Sequence, residues 1–328
     1  MLKNFYLADL KFHLQFKRPV DISPFSAGPM LRGAFGTALR RIVCHDPEAK
    51  CAQCAVSDKC AYQKIFAPVV SADAERLSKN RDLPRGFVIK PPLDGSRYDA
   101  SNPFCFRMIL VGDLVHWIPY IIVPFRELGD VGIGRARTPF TLDKIRSLGN
   151  SRGQGQTLYS ASDQMVRPQA MVHLHFSDFL RKAQKLDQDR LTVRFLTPTI
   201  LRYSPDGTKG SSRPMRVPEF HVFVKRLRDR VNRLSTAYCA EAMDIDYRAF
   251  GERAERVVTE SVRGRWVDRK RRTRAGKTQD LGGFVGEITF SGPIGEFLPL
   301  ILVGEYLHVG KNAVFGNGWY EVLALAVR

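Results

Sequence analysis

The 328-residue sequence predicts an α+β fold built from two copies of one domain. Three observations carry that expectation: a stretch that recurs at a fixed offset, a strand and helix ahead of each copy, and a Gly-rich turn behind each. In the first copy the stretch runs Val111-Gly112-Asp113-Leu114-Val115-His116-Trp117-Ile118-Pro119-Tyr120-Ile121-Ile122-Val123. In the second it runs Ser291-Gly292-Pro293-Ile294-Gly295-Glu296-Phe297-Leu298-Pro299-Leu300-Ile301-Leu302-Val303, an offset of 180 throughout. Gly meets Gly, Trp meets Phe and Pro meets Pro, so the chain reads as a duplication.

Each element follows from local pattern. Leu7 to Phe16 alternates apolar and polar residues, as a strand does. Leu31, Ala34, Phe35, Ala38, Leu39 and Ile42 recur at helical spacing, with Pro29 suited to the first turn, which predicts a helix from Pro29 to Val43. Phe106 to Val111 is the strand before the first copy, and Gly129 to Gly134 the turn after it. In the second half, Leu191 to Leu201 opens as a strand and a loop covers Ser204 to Pro218. Phe220 to Tyr238 is a helix with Phe223, Leu227, Val231 and Leu234 on one face and Lys225, Arg226, Arg228, Arg230 and Arg233 on the other. Phe284 to Phe290 and the stretch from Tyr320 complete the copy as strands. Strand–helix–strand–strand–helix–strand is the split βαβ unit, so the expected architecture is two tandem ferredoxin-like (RRM-like) domains. The boundary falls in the polar stretch between Ser151 and Arg167, giving domains 1–160 and 161–328.

The formal net charge is +18. Such an excess repels itself unless a polyanion relieves it, which points to nucleic acid ahead of an anionic membrane surface. The start, Met1-Leu2-Lys3-Asn4-Phe5, lacks the basic and apolar regions of a secretion signal, and the apolar run from Trp117 to Phe125 is too short to span a bilayer. A cytoplasmic location with no membrane partner is expected.

The second Gly-rich turn reads His308-Val309-Gly310-Lys311-Asn312-Ala313-Val314-Phe315-Gly316-Asn317-Gly318-Trp319-Tyr320. Its glycines allow close backbone approach, and exposed amides in such a turn suit phosphates. No Gly-Lys-Ser/Thr follows, so it is not a Walker loop. Gly304 to Tyr320 resembles the C-terminal signature of the CRISPR precursor-RNA-processing endoribonucleases of the RAMP superfamily, the Cas6 family. Gly282 to Ile288 and Met30 to Gly36 are similar to that family as well. The resemblance implies tandem ferredoxin-like domains, CRISPR repeat RNA as ligand, and other CRISPR effector subunits as partners.

Arg263 to Lys277 holds eight Lys or Arg and one acid, Asp268. Arg263, Arg265, Arg269, Lys270, Arg271, Arg272 and Arg274 can neutralise phosphates, and Trp266 can stack on a base. The segment is expected to form a loop or hairpin. The resemblance implies that a hairpin here grips the repeat stem. From the Gly-rich turn, Gly310, Lys311, Asn312, Gly316 and Gly318 join the expected RNA-binding set. The alternative for both segments is a solvated charged loop and a turn that only packs.

Cys44, Cys51, Cys54 and Cys60 lie within seventeen residues with one CxxC pair, as an insertion after the first helix. In a reducing compartment the pattern favours a structural zinc site; an iron–sulfur cluster competes, as do free thiols. Cys105 and Cys239 read as core residues.

RNA can be cut without metal when the 2′-hydroxyl attacks the adjacent phosphorus. The step needs a base, an acid and cations, roles histidine and lysine fill near neutral pH. No carboxylate cluster suggests a two-metal nuclease. His13, His173 and His175 lie in strand-like segments and read as structural. The resemblance implies a general acid–base histidine near the end of the first helix, where His45 stands, and Lys50 follows it at a distance that suits a supporting cation. His308 adjoins the Gly-rich turn and is the second catalytic candidate. His45 as a metal-site neighbour and His308 as a packing residue are the structural alternatives. A non-catalytic RAMP scaffold subunit is the competing function, and a zinc-containing RNA-binding module outside CRISPR biology a further one.

Overall fold

The computed structural model describes residues 2–46, 51–68, 83–149, 155–204, 211–272, 276 and 278–323. The chain forms two compact units. The N-terminal unit is Asn4–His175 with Arg233–Glu241, and the C-terminal unit is Met1–Lys3, Phe176–Asn232 and Ala242–Arg328.

In the N-terminal unit the chain runs β1 (Tyr6–Phe16), α1 (Ala27–Val43), α2 (Ala61–Ile65), β2 (Phe87–Lys90), β3 (Phe104–Val111), α3 (Pro119–Val131), β4 (Phe140–Leu148), β5 (Gly155–Ser160) and β6 (His173–His175). The sheet order is β2-β3-β1-β4-β5, and β6 pairs with the start of β1. The first strand therefore lies between the third and fourth of the six-element unit, as the split βαβ pattern requires. Phe12 stacks on Phe106 at 4.7 Å, and Phe35 of α1 stacks on Phe125 of α3 at 5.4 Å, so both helices press aromatic rings on the sheet's core face. Each such ring contributes roughly 2–3 kcal/mol by leaving water.

The C-terminal unit repeats the plan with β7 (Arg190–Thr199), α4 (Phe220–Tyr238, its last turns belonging to the N-terminal unit), β8 (Val258–Val267), the short hairpin β9 (Lys270–Arg272) and β10 (Thr278–Asp280), β11 (Gly283–Ser291), α5 (Leu298–Leu307) and β12 (Tyr320–Leu323). Its sheet order is β8-β11-β7-β12, which matches β2-β3-β1-β4 of the first copy. The 180-residue offset extends beyond the recurring stretch: β3 ends at Val111 and β11 at Ser291, while β4 begins at Phe140 and β12 at Tyr320. The shared glycine has a backbone reason. Gly112 has φ 52° and Gly292 φ 130°, and a Cβ on Gly112 would collide with the Tyr238 carbonyl.

The units part at His175/Phe176, whereas composition placed the boundary at 160. The difference has a cause in pairing: Val166 bridges Tyr159, and β6 pairs Tyr6 with His175 and Ala8 with His173. The polar stretch read as a linker thus holds β5, anchored by buried Leu158 and Tyr159.

Two groups in β1 set stability expectations. Asp9 is 1% exposed and accepts from Arg107 Nε at 2.8 Å and from a second guanidinium nitrogen. Asp9→Ala strands Arg107 in a half-buried position and should cost about 3 kcal/mol, read by urea unfolding. A cost under about 1 kcal/mol would contradict this account of the pair. His13 Nδ1 lies 3.3 Å from Cys105 Sγ. Burial first, then the Lys11 and Lys144 charges, pushes its pKa down to about 4. The unfolded chain, with an imidazole near 6.5, binds the proton first as pH falls. Stability from neutral His13 is therefore present above about pH 6.5 and lost towards pH 4. The melting temperature of His13→Gln should fall less than that of the native chain across this window.

Candidate nucleic-acid interface

The basic segment is an edge strand followed by a hairpin. β8 pairs with β11, placing Arg263 opposite Glu287 and Arg265 opposite Val285. Gly264 separates the two arginines, so both side chains leave the same face of the strand. Residues Val258 to Arg265 are all exposed, and among the described residues no strand pairs with the outer edge of β8. Lys270 then faces Asp280, and Arg272 faces Thr278, across the short hairpin. None of the ion pairs among the described residues involves Arg263, Arg265, Lys270 or Arg272. Burial, then the Arg271 charge, holds Arg269 below the usual guanidinium range. Trp266 donates to Asp268 at 3.1 Å, and Arg216 lies 4.6 Å above its ring. Arg274 lies outside the described residues.

The Gly-rich turn braces this hairpin. Asn312 Nδ2 donates to the Asp280 carbonyl at 3.0 Å, and Asn312 Oδ1 accepts from Gln279 at 3.0 Å. Asn317 Nδ2 donates to the Leu281 carbonyl at 2.9 Å, and Arg271 lies 5.4 Å over the Phe315 ring. Asn312 and the glycines at 310, 316 and 318 all have positive φ, which lets the chain fold back tightly enough for these contacts. This corrects the expectation of an amide cradle for phosphate. Gly316 and Gly318 are buried, and their amides donate to the Ala313 and Pro198 carbonyls, while Lys311 N–H donates to Ile200. Of this turn, the Lys311 side chain is the exposed cation, and Gly310 and Asn312 are half-buried. Asn317→Ala leaves the Leu281 carbonyl unsatisfied and should cost about 2 kcal/mol, with faster amide exchange in the 278–281 segment. Unchanged exchange there would contradict the bracing role.

The three catalytic candidates separate. His308 is 0% exposed; its Nδ1 lies 3.1 Å from the Asn317 carbonyl and its ring is parallel to Trp319 at 5.9 Å. It holds the turn together and cannot reach a phosphate there, which corrects the catalytic expectation. His45 is exposed and stands just past the end of α1. Lys50 lies outside the described residues. His45 lines one cavity of about 20 Å³ with Cys44, Cys51, Cys54, Cys60, Asp46, Tyr62 and Gln63. The four cysteines therefore line a single space, and Gln63 donates to the Cys51 carbonyl. Among the described residues, no three or more His, Cys, Asp or Glu side chains stand together as a set able to hold a metal ion.

A second exposed cluster escaped the sequence reading. His173 and His175 alternate on β6 with buried Leu174 between them, so both rings face out beside Tyr6. The His-x-His spacing in a strand was the available signal. Strand histidines are commonly core, but here both are exposed.

Two ferredoxin-like units in tandem, the second bearing a cationic hairpin braced by a Gly-rich turn, define the class of architecture. Residues 193–320 match the family model described as CRISPR-associated endoribonuclease Cas6, and residues 5–171 match a model described as an N-terminal domain. Through residues 193–320 the chain carries the domain of the Cas6 family of CRISPR-associated endoribonucleases. It is 23% identical over 323 residues to an uncharacterized protein of Archaeoglobus fulgidus, covering 96% of this chain and 97% of that one. Among solved structures it is similar to a Cas6 (TTHB231) product complex, at 16% identity and TM-score 0.57, over 97% of this chain and 100% of the other. That TTHB231 protein is from Thermus thermophilus. A Cas6 (TTHA0078) product complex is similar at 17% identity and TM-score 0.55, over 97% and 100%. No helix among the described residues is long and apolar enough to cross a membrane.

Proposed function

We propose that this chain binds CRISPR repeat RNA in the cytoplasm and cuts the precursor into guide units without a metal ion in the chemical step. The observation that carries the reading is the cationic edge strand and hairpin, whose Arg263, Arg265, Lys270 and Arg272 take part in no ion pair among the described residues, braced by the signature turn of an endoribonuclease family. Edge-strand arginines and the hairpin lysine meet the phosphates of an A-form stem, which is read by shape and backbone. At the cut, a base takes the 2′-hydroxyl proton and the 2′-oxygen forms a bond to phosphorus. The bond to the 5′-oxygen breaks, and an acid returns a proton to it, leaving a 2′,3′-cyclic phosphate and a 5′-hydroxyl. His45, exposed at the end of α1, is assigned proton transfer; Lys50, outside the described residues, is proposed as the cation that offsets the developing charge. The similar structures include a Cas6-RT-Cas1–Cas2 complex, matched over 100% of this chain and 48% of that one, which supports assembly with other CRISPR proteins. Incubating the protein with repeat RNA in EDTA tests the reading. Cleavage at one position supports it; tight binding with intact RNA leaves the non-catalytic scaffold reading instead.

The cysteine cavity is proposed to take a structural metal, zinc or an iron–sulfur cluster, once the four thiols turn inward. It would tie down a segment with few apolar residues of its own. Elemental analysis of the purified protein decides: about one zinc per chain, or iron with visible absorption, lost in Cys51→Ser/Cys54→Ser. A metal-free folded chain overturns it.

A further inference from the structure

We infer that His173 and His175, set beside Tyr6, form with His116 of the neighbouring turn a phosphate-binding site whose occupancy is coupled to proton uptake. For its natural ligand, a phosphodiester of bound RNA, the inference rests on the RNA-binding reading above. The site is built where β6 pairs with the start of β1. Tyr6 lies opposite His175 and Ala8 opposite His173. The Tyr6 ring is 5.2 Å from the His173 ring and 6.0 Å from the His175 ring, and the two imidazoles are 6.4 Å apart. Gly112–Trp117, a short 3-10 turn, adds Asp113 and His116 from the next element.

Charge and burial give the cluster its character. Asp113 accepts the Tyr6 hydroxyl proton at 3.1 Å. Burial first, then this hydrogen bond, pushes the Tyr6 pKa up to about 12, with the Asp113 and Cys239 charges acting in the same sense. The phenol therefore stays protonated at any working pH. His173 is held below the usual imidazole range by burial first, then by His175 and His116. A charge on His175 or His116 thus opposes a proton on His173, although all three residues are exposed. A phosphate placed among them reverses the sign of that interaction. It offsets the mutual repulsion and favours the charged rings, so binding the anion draws protons in and falling pH tightens binding. Packing does not account for the arrangement. Leu174 is the β6 side chain that enters the core, and the two flanking histidines add exposed polar surface to it.

The test uses the full chain and two probes. Inorganic phosphate is titrated while the imidazole carbon-bound protons are followed by NMR. Repeat RNA made uncleavable by a 2′-deoxy residue at the cut site is bound at pH 6 and pH 8. A His173→Gln/His175→Gln variant, confirmed folded by its melting curve, is the comparison. The expected result is phosphate-dependent shifts in the native chain and RNA affinity that gains about tenfold more from pH 8 to pH 6 than in the variant. Shifts with phosphate but equal RNA pH dependence would assign the site to free phosphate. No shifts and equal pH dependence would overturn it. So would a variant that binds RNA with the native pH dependence yet no longer cuts, since the histidines would then serve proton transfer. Absence of cleavage by the native chain would count against the nuclease reading alone, because both probes report binding.

Discussion

His45→Ala is expected to slow single-turnover cleavage of bound repeat RNA by about 100- to 10,000-fold while RNA affinity stays within about threefold. Proton transfer acts in the transition state, so its loss shows in the rate of the chemical step and leaves ground-state binding alone. His45 is the exposed member of the two histidines that the sequence nominated. His308→Ala should behave in the opposite way: a lower melting temperature, because a buried ring stacked on Trp319 is lost, with little effect on the rate constant of molecules that remain folded. Equal loss of rate in both variants, at equal stability, would remove the distinction between an exposed and a buried imidazole.

The second large effect concerns charge. Replacing Arg263, Arg265, Lys270 and Arg272 together by Ala should weaken repeat binding by roughly a hundredfold or more near 0.1 M salt. The slope of log affinity against log salt should become shallower by about 3, since each phosphate contact accounts for somewhat less than one released counterion. All four side chains stand outside the ion pairs among the described residues, so the substitution removes cations and little packing. The melting temperature should change little or rise slightly as self-repulsion falls. A loss of affinity that is the same at every salt concentration would show that these residues shape the fold and do not meet phosphates.

The two groups of predictions differ in how far the sequence alone supports them. The fold was legible because its signals are periodic and local. Leu31, Phe35, Ala38 and Leu39 mark the buried face of α1, and the matched Gly112 and Gly292 sit at positive φ in both copies. α4 occupies Phe220 to Tyr238, the span its apolar stripe predicts. β5 was not legible, because Leu158 and Tyr159 are its buried apolar residues in a polar stretch and its place depends on β4, a neighbour set by tertiary pairing.

For the site, residue type was legible and accessibility was not. Glycines, lysine and asparagine in one turn suggested a phosphate cradle, yet Asn312 and Asn317 are turned towards the hairpin backbone. Which way an amide faces depends on a segment some thirty residues away, and no local pattern encodes it. His308 and His45 look alike in sequence; α5 and Trp319 bury one, while the end of α1 leaves the other in solvent. The cysteines were easy to find by spacing, and the cavity they share became visible only when the chain folded back at α2.

In the proposed reaction RNA is cut by its own 2′-hydroxyl while cationic side chains hold its phosphates. The most direct measurement is the identity of the product ends after cleavage in EDTA, with a matched RNA carrying one 2′-deoxy residue at the cut position. The all-ribose RNA should yield a 2′,3′-cyclic phosphate and a 5′-hydroxyl, and the deoxy RNA should stay intact although it binds as tightly. A 3′-hydroxyl with a 5′-phosphate, or cleavage of the deoxy RNA, would contradict this reaction.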